Sequence, residues 1–168
     1  MAKKKMLFIY NPKAGKEQIR NHLSGVIDIL VKGGNEVTVY PTQCPGDAVR
    51  AAQEKARRYD CVVASGGDGT LDEVVTGILR SGKVVPVGYI PAGSTNDFAN
   101  SLGLPKNMLQ AAQTVVDGRL FPCDIGSFNE DTFVYIASFG LFTDVSYETK
   151  QKYKNVLGHM AYLLEGMR

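Results

Sequence analysis

The 168-residue chain has only two histidines and three cysteines, and neither set is spaced to ligate a metal. Cys44, Cys61 and Cys123 are odd in number and far apart, so they read as reduced thiols, with Cys61 a small core residue. His22 falls on the polar side of its helix and His159 beside an apolar stripe, which favours structural over catalytic roles. No apolar run approaches the about 20 residues needed to cross a bilayer. The apolar stretch after the N-terminal lysines is only strand length, so no signal peptide is expected. The expected compartment is therefore the cytoplasm, and any membrane role would be peripheral. A net charge of +2 is too small to argue for nucleic acid, and Lys3-Lys4-Lys5 reads as a solvated lead-in to a strand. Three motifs are missing as well. Without Gly-x-x-x-x-Gly-Lys-Ser/Thr the chain is not a P-loop NTPase. Without Gly-x-Gly-x-x-Gly after the first strand it is not a Rossmann dehydrogenase, and without Gly-x-Ser-x-Gly it has no hydrolase elbow.

What is present is a soluble globular composition, 44% apolar and 21% charged, with strands alternating with helices. Met6–Tyr10, Glu36–Tyr40, Cys61–Ala64 and Val84–Ile90 read as strands. Between them, Ile19, Leu23, Val26, Ile27 and Leu30 share one helical face, closed by Gly33-Gly34. Asp47–Tyr59 reads as a helix with a small-residue face of Ala48, Ala52 and Ala56. Leu71, Val74, Val75, Ile78 and Leu79 mark a third helix. Ser94 or Thr95 is placed to cap a short helix ending near Gly103, and Met108, Ala111, Val115 and Val116 mark another, closed at Gly118. This alternation predicts a parallel α/β sheet with right-handed crossovers over residues 1–118. Its four strand-to-helix turns carry Asn11–Gly15, Thr42, Gly66–Thr70 and Ala92–Asn96, at the strand ends where open α/β sheets bind ligands.

The central stretch is Ser65-Gly66-Gly67-Asp68-Gly69-Thr70, between the third strand and its helix. Glycines there let a ligand approach backbone N–H groups, and a helix N-terminus offers partial positive charge to a phosphate. Thr70 is placed to cap that helix. Asp68 would repel a bare phosphate; it makes sense if a divalent cation bridges it to phosphates, or if it takes a proton from an attacking hydroxyl. The plainer alternative is a tight turn with a cap.

The pattern changes at Arg119. Leu120–Phe128 and Thr132–Phe139 read as a hairpin around Asn129-Glu130-Asp131, and Val156, Met160, Leu163 and Leu164 mark a final helix. Residues 119–168 are expected to open a β-rich second domain that the chain does not complete, and the apolar surface left bare would favour self-association.

With these residues in view, the chain resembles the bacterial diacylglycerol kinase and lipid kinase family. The matching elements are Asn11-Pro12-x-x-Gly15, Thr42 with Gly46-Asp47-Ala48, Ser65 to Val74 and Pro91-x-Gly93-Ser94-Thr95-Asn96-Asp97-Phe98-Ala99. Asp124-Ile125-Gly126 and Gly158–Tyr162 follow in family order. The Gly-Gly-Asp-Gly element is shared with NAD kinases and, less closely, phosphofructokinases; the Pro-Ala-Gly-Ser-Thr-Asn-Asp element narrows the match. The resemblance implies a two-domain fold, ATP with Mg²⁺ in the cleft, and a lipid alcohol such as diacylglycerol as acceptor at a peripheral membrane surface. By position, Asn11, Pro12, Lys13, Ala14, Gly15, Gly66, Gly67, Gly69 and Thr70 would hold the triphosphate, and Thr42, Thr95 and Asn96 the rest of the nucleotide. Asp68 would sit at the metal and γ-phosphate as the catalytic carboxylate. Asp72 stands where the family commonly has Asn, and would recruit metal or weaken ATP binding, or be a tolerated helix-start acid. The family's members run longer, so this chain is expected to bind nucleotide better than it turns over. The alternatives are a NAD-kinase-like activity and a non-catalytic nucleotide-binding regulatory module.

Overall fold

Met6, Leu7, Phe8 and Ile9 are consecutive and all buried, as a strand covered on both faces requires. In the computed structural model, which describes residues 3–128 and 131–134, they form the middle of β1 (Lys4–Tyr10). β1 pairs in parallel with β2 (Asn35–Pro41) on one side and β3 (Cys61–Gly66) on the other, and β3 pairs with β4 (Val87–Pro91). The order is β2-β1-β3-β4, a four-stranded parallel sheet. Leu7 sits opposite Thr38 and Val62, and Ser65 lies between Tyr10 and Ile90.

Period-2 alternation sends the two sets of strand side chains into separate cores. Phe8, Met6, Val63 and Ile90 pack with Val26 and Leu30 of α1 (Ile19–Lys32) and with Ala111 and Ala112 of α5 (Met108–Asp117). Leu7, Ile9, Val62 and Ala64 pack with α2 (Asp47–Lys55) and α3 (Asp68–Ser81). The small-residue face of α2 has its reason here. A Cβ on Gly77 of α3 would sit 2.7 Å from the Ala52 Cβ and 3.0 Å from the Gln53 nitrogen, so the two helices pack backbone against backbone.

The structure corrects several expected boundaries. β4 starts at Val87 rather than Val84, which is 98% exposed; pairing begins where the Pro86 carbonyl accepts the Val62 N–H at 3.0 Å. α2 ends at Lys55 and continues as a 3₁₀ turn over Ala56–Arg58. Leu79 is 47% exposed and lies off the buried stripe. Thr70 does not cap α3: the helix begins at Asp68 after Gly67, and Thr70 is buried in its first turn. Neither Ser94 nor Thr95 occupies the cap of α4 (Asp97–Ser101); Asn96 does, in the left-handed region at φ 54°. The hairpin is shorter than expected, β5 (Gly126–Phe128) against β6 (Asp131–Phe133), with Leu120 and Phe121 exposed ahead of it. The expected strand beyond 134 and the helix at Val156–Leu164 lie outside the described residues. Among those described, no helix is long and apolar enough to cross a membrane.

Candidate functional site

β1 and β3 are neighbours in the middle of the sheet, but β1 connects outward to β2 and β3 outward to β4. Their carboxyl ends are therefore the switch point where an open α/β sheet leaves a crevice. The β1 loop is laid along the end of β3: the Asn11 N–H donates to the Ser65 carbonyl at 2.9 Å, and the Asn11 side-chain oxygen accepts the Lys13 N–H at 2.9 Å. Gly15 turns the loop at φ 53° and lies against the backbone of Ala92 and Gly93.

At the end of β3 the Gly66 carbonyl accepts three donors. These are the N–H groups of Ala92 at 2.8 Å and Gly93 at 3.1 Å, and the Tyr89 hydroxyl at 3.2 Å. Burial, with Asp68, Asp72 and Asp97 nearby, pushes the Tyr89 phenol far above its ordinary pKa, so it stays protonated as a donor. Gly93 presses on Gly67 closely enough that a Cβ would meet the Asn96 Oδ1 at 2.8 Å and the Gly67 nitrogen at 3.2 Å. The β3 and β4 turns are thus bonded backbone to backbone. α3 starts from this joint, and the N–H groups of Asp68 and Gly69 in its first turn have no intrahelical partner.

The three acids of α3 each serve a different neighbour. The Asp68 carboxylate accepts the N–H groups of Asp97 at 2.9 Å and Phe98 at 3.2 Å, and so caps α4. Glu73 accepts those of Gly46 at 3.1 Å and Ala48 at 3.3 Å, and so caps α2. Asp72 accepts the Val134 N–H at 2.9 Å beside the hairpin. Burial raises the Asp72 pKa and the Asp68 charge adds to it, against the hydrogen bond from Val134.

A cleft of about 330 Å³ opens between the β1 loop, the β2 loop and the starts of α2 and α3. It brings together Asn11, Lys13, Ala14, Thr42 and Thr70 of the residues expected from sequence. It adds Gln43, Cys44, Pro45, Ala48 and Glu73, which the sequence reading did not assign to the site. Their signal was present only in part: Glu73 belongs to the glycine-rich motif, but nothing local shows that it reaches α2. The other expected residues surround the cleft rather than line it. Pro12 and Gly15 shape the β1 loop, Gly66 and Gly67 form the β3–β4 joint, and Asn96 exchanges two hydrogen bonds with Gly93, at 2.8 and 2.9 Å. The Thr95 carbonyl accepts the Asn100 side chain at 2.9 Å. Asp72 faces the hairpin, and Gly69 is exposed on the first turn of α3. Among the described residues no group of three His, Cys, Asp or Glu side chains could hold a metal ion. The donor set fits a cation that arrives with phosphate oxygens, because Mg²⁺ commonly takes one or two carboxylates and completes its shell with phosphate and water.

A parallel α/β sheet, a glycine-rich turn feeding a helix N-terminus, and a polar cleft beside it at the switch point define the class of open α/β domains with a crevice at the carboxyl ends of their strands. Within that class the chain belongs to the diacylglycerol kinase catalytic domain family, whose model matches residues 5–128. It is 43% identical over 166 residues to the diacylglycerol kinase of Bacillus subtilis (strain 168), covering 98% of this chain and 55% of that protein. It is 41% identical over 169 residues to the diacylglycerol kinase of Staphylococcus carnosus (strain TM300), covering 98% and 54%. The crystal structure of a diacylglycerol kinase from Bacillus anthracis str. Sterne superposes with a TM-score of 0.71 at 32% identity, covering 77% of this chain and 45% of that one. The chain spans about half the length of the curated relatives it matches.

Proposed function

We propose that this chain is the nucleotide-binding part of an ATP-dependent lipid kinase that transfers the γ-phosphoryl group to the hydroxyl of diacylglycerol or a related lipid alcohol. Residues 1–118 hold the nucleotide, and residues from 119 open the domain that meets the lipid. The observation that carries this reading is Gly69. It stands in the first turn of α3 without a positive φ, and a Cβ there would meet nothing within 4 Å. The fold places no demand for glycine at that position, and glycine in a helix costs up to about 1 kcal/mol relative to alanine. A ligand that must approach the α3 N-terminus supplies the missing reason.

Phosphoryl transfer needs positioning and charge neutralisation more than covalent chemistry. The first-turn N–H groups of α3 and the exposed Lys13 ammonium bind the phosphates, and Asn11, Thr42 and Thr70 shape the cleft beside them. Asp68 is the carboxylate that would hold Mg²⁺, which supplies charge neutralisation on the transferring group. The test is calorimetric titration of Mg·ATP into the wild-type chain and Gly69→Ala, with NAD offered in parallel. The expected result is ATP binding to the wild type and about tenfold weaker binding to a variant at least as stable. Equal affinity in both proteins would remove the argument from Gly69, and a preference for NAD would redirect the assignment to a NAD-kinase-like activity.

A further inference from the structure

Asp47 is the first residue of α2, where an acid is ordinarily a surface group favoured by the helix dipole. Here the side chain is 0% exposed. A carboxylate removed from water has to be compensated by donors, and three converge on it. Its Oδ2 accepts the Gln43 N–H at 2.8 Å, and its Oδ1 accepts the Tyr40 hydroxyl at 3.1 Å and an Arg50 guanidinium N–H at 2.5 Å. Gln43 lies four residues upstream, in the loop leaving β2. The carboxylate therefore reaches back and pins that loop.

The same loop is tied elsewhere. The Thr42 N–H donates to the Tyr10 carbonyl at 2.9 Å, extending the sheet by one bond, and the Gln43 side chain donates to the Pro41 carbonyl at 2.9 Å. Past the loop, Glu73 of α3 takes the Gly46 and Ala48 N–H groups. Between Thr42 and Gly46, the path of Gln43, Cys44 and Pro45 is set by two bonds to Asp47. Its N–H donates to the Cys44 carbonyl at 3.2 Å, and its carboxylate accepts the Gln43 N–H, among the described residues the one side-chain tie from outside the loop. Those three residues, with Thr42, form the part of the cleft wall that the β2 loop supplies.

We propose that Asp47 is a positioning residue of the cleft, acting through the Gln43 N–H to preform the β2-loop wall against which the nucleotide binds. The proposal rests on the nucleotide reading of the cleft. Asp47 has no exposed surface with which to touch a ligand, so any effect on affinity travels through the loop. A merely structural role would lower stability and leave the affinity of the folded protein unchanged.

The experiment titrates Mg·ATP into the 168-residue wild-type chain, Asp47→Ala, Gln43→Pro and Gln43→Ala, each at a temperature where circular dichroism shows it folded. Gln43→Pro deletes the N–H that Asp47 accepts, and Gln43→Ala isolates the loss of the side chain. Asp47→Ala and Gln43→Pro are each expected to raise Kd about tenfold, the scale of one hydrogen bond to a charged group, while Gln43→Ala changes it much less. Wild-type affinity in folded Asp47→Ala or Gln43→Pro overturns the proposal and leaves the nucleotide reading standing. Equal losses in Gln43→Pro and Gln43→Ala overturn it too, since the side chain would then be the cause. No binding to the wild type overturns the nucleotide reading itself. If Asp47→Ala does not fold, the two Gln43 variants decide the matter.

Discussion

At the scale of single residues, two buried or half-buried carboxylates titrate in opposite directions. Burial alone pushes Asp47 up, but the hydrogen bonds from Gln43, Tyr40 and Arg50 and the Arg50 charge outweigh it, leaving the pKa below the ordinary range. Asp47 therefore contributes stability that is present above the unfolded-state pKa and lost as pH falls through its depressed value. Asp72 is the reverse. Burial and then the Asp68 charge outweigh the Val134 hydrogen bond and hold its pKa above the ordinary range. The folded state then binds the proton more tightly than the unfolded chain. Its ionisation is a penalty that grows as pH rises from the unfolded pKa to the folded one and is relieved on acidification. Asp72→Asn keeps an oxygen to accept the Val134 N–H and removes the buried charge. It is expected to raise the melting temperature at pH 7, with the gap from wild type closing as pH falls through the raised pKa; a variant less stable than wild type at pH 7 would contradict this. That partner could not be read from sequence: the Val134 N–H lies 62 residues away along the chain, and only the hairpin's return to α3 brings it to the Asp72 carboxylate.

At the scale of elements, the helices and strands were legible because their periodicities are local. The α1 stripe, the buried β3 run and the α5 stripe all form, and Asn107 caps α5 by accepting the Leu109 and Gln110 N–H groups at 2.9 and 3.1 Å. The misread ends have a common cause in partners from other elements. Thr70 is not a cap because the chain enters α3 two residues earlier, from an extended Gly67 at φ −86° and ψ −176°. α4 is five residues long, and its cap comes from Asp68 on another helix. The small-residue face of α2 was legible in the sequence, and its pairing with α3 comes only from the packing. A side chain at Gly77 has no room against the Val49 carbonyl and the Ala52 methyl. Gly77→Val is accordingly expected to destabilise the protein by at least about 1–3 kcal/mol, the usual range for overpacking, as read by urea denaturation. Because the helices must separate, it should also stretch the Glu73 cap of α2 and weaken nucleotide binding. Wild-type stability in that variant would mean that the helices part without loss.

At the scale of the whole molecule, α3 is the hub. It carries the glycine-rich turn at its start, ties α4, the hairpin and α2 through Asp68, Asp72 and Glu73, and meets β6 again where the Thr76 and Thr132 hydroxyls lie 2.6 Å apart. A ligand seated at its N-terminus would bind the folded arrangement of these ties and not the unfolded chain. Mg·ATP at a hundred times its Kd is therefore expected to stabilise the folded chain by about 2.7 kcal/mol, seen as a rise in melting temperature. No rise at saturating nucleotide would mean that the ligand does not distinguish folded from unfolded protein. The sequence by itself determined the order of strands and helices, the glycine-rich turn and the family resemblance, because periodicity, glycine conformation and motif spacing are properties of neighbouring residues. The tertiary structure alone decided the strand order that puts β1 beside β3, the cleft wall of Gln43, Cys44 and Pro45, and the group each acid serves. The groups that Asp68, Asp72 and Glu73 serve depend on donors 25 to 62 residues away along the chain, and a carboxylate's spacing in sequence carries no record of which N–H it will accept.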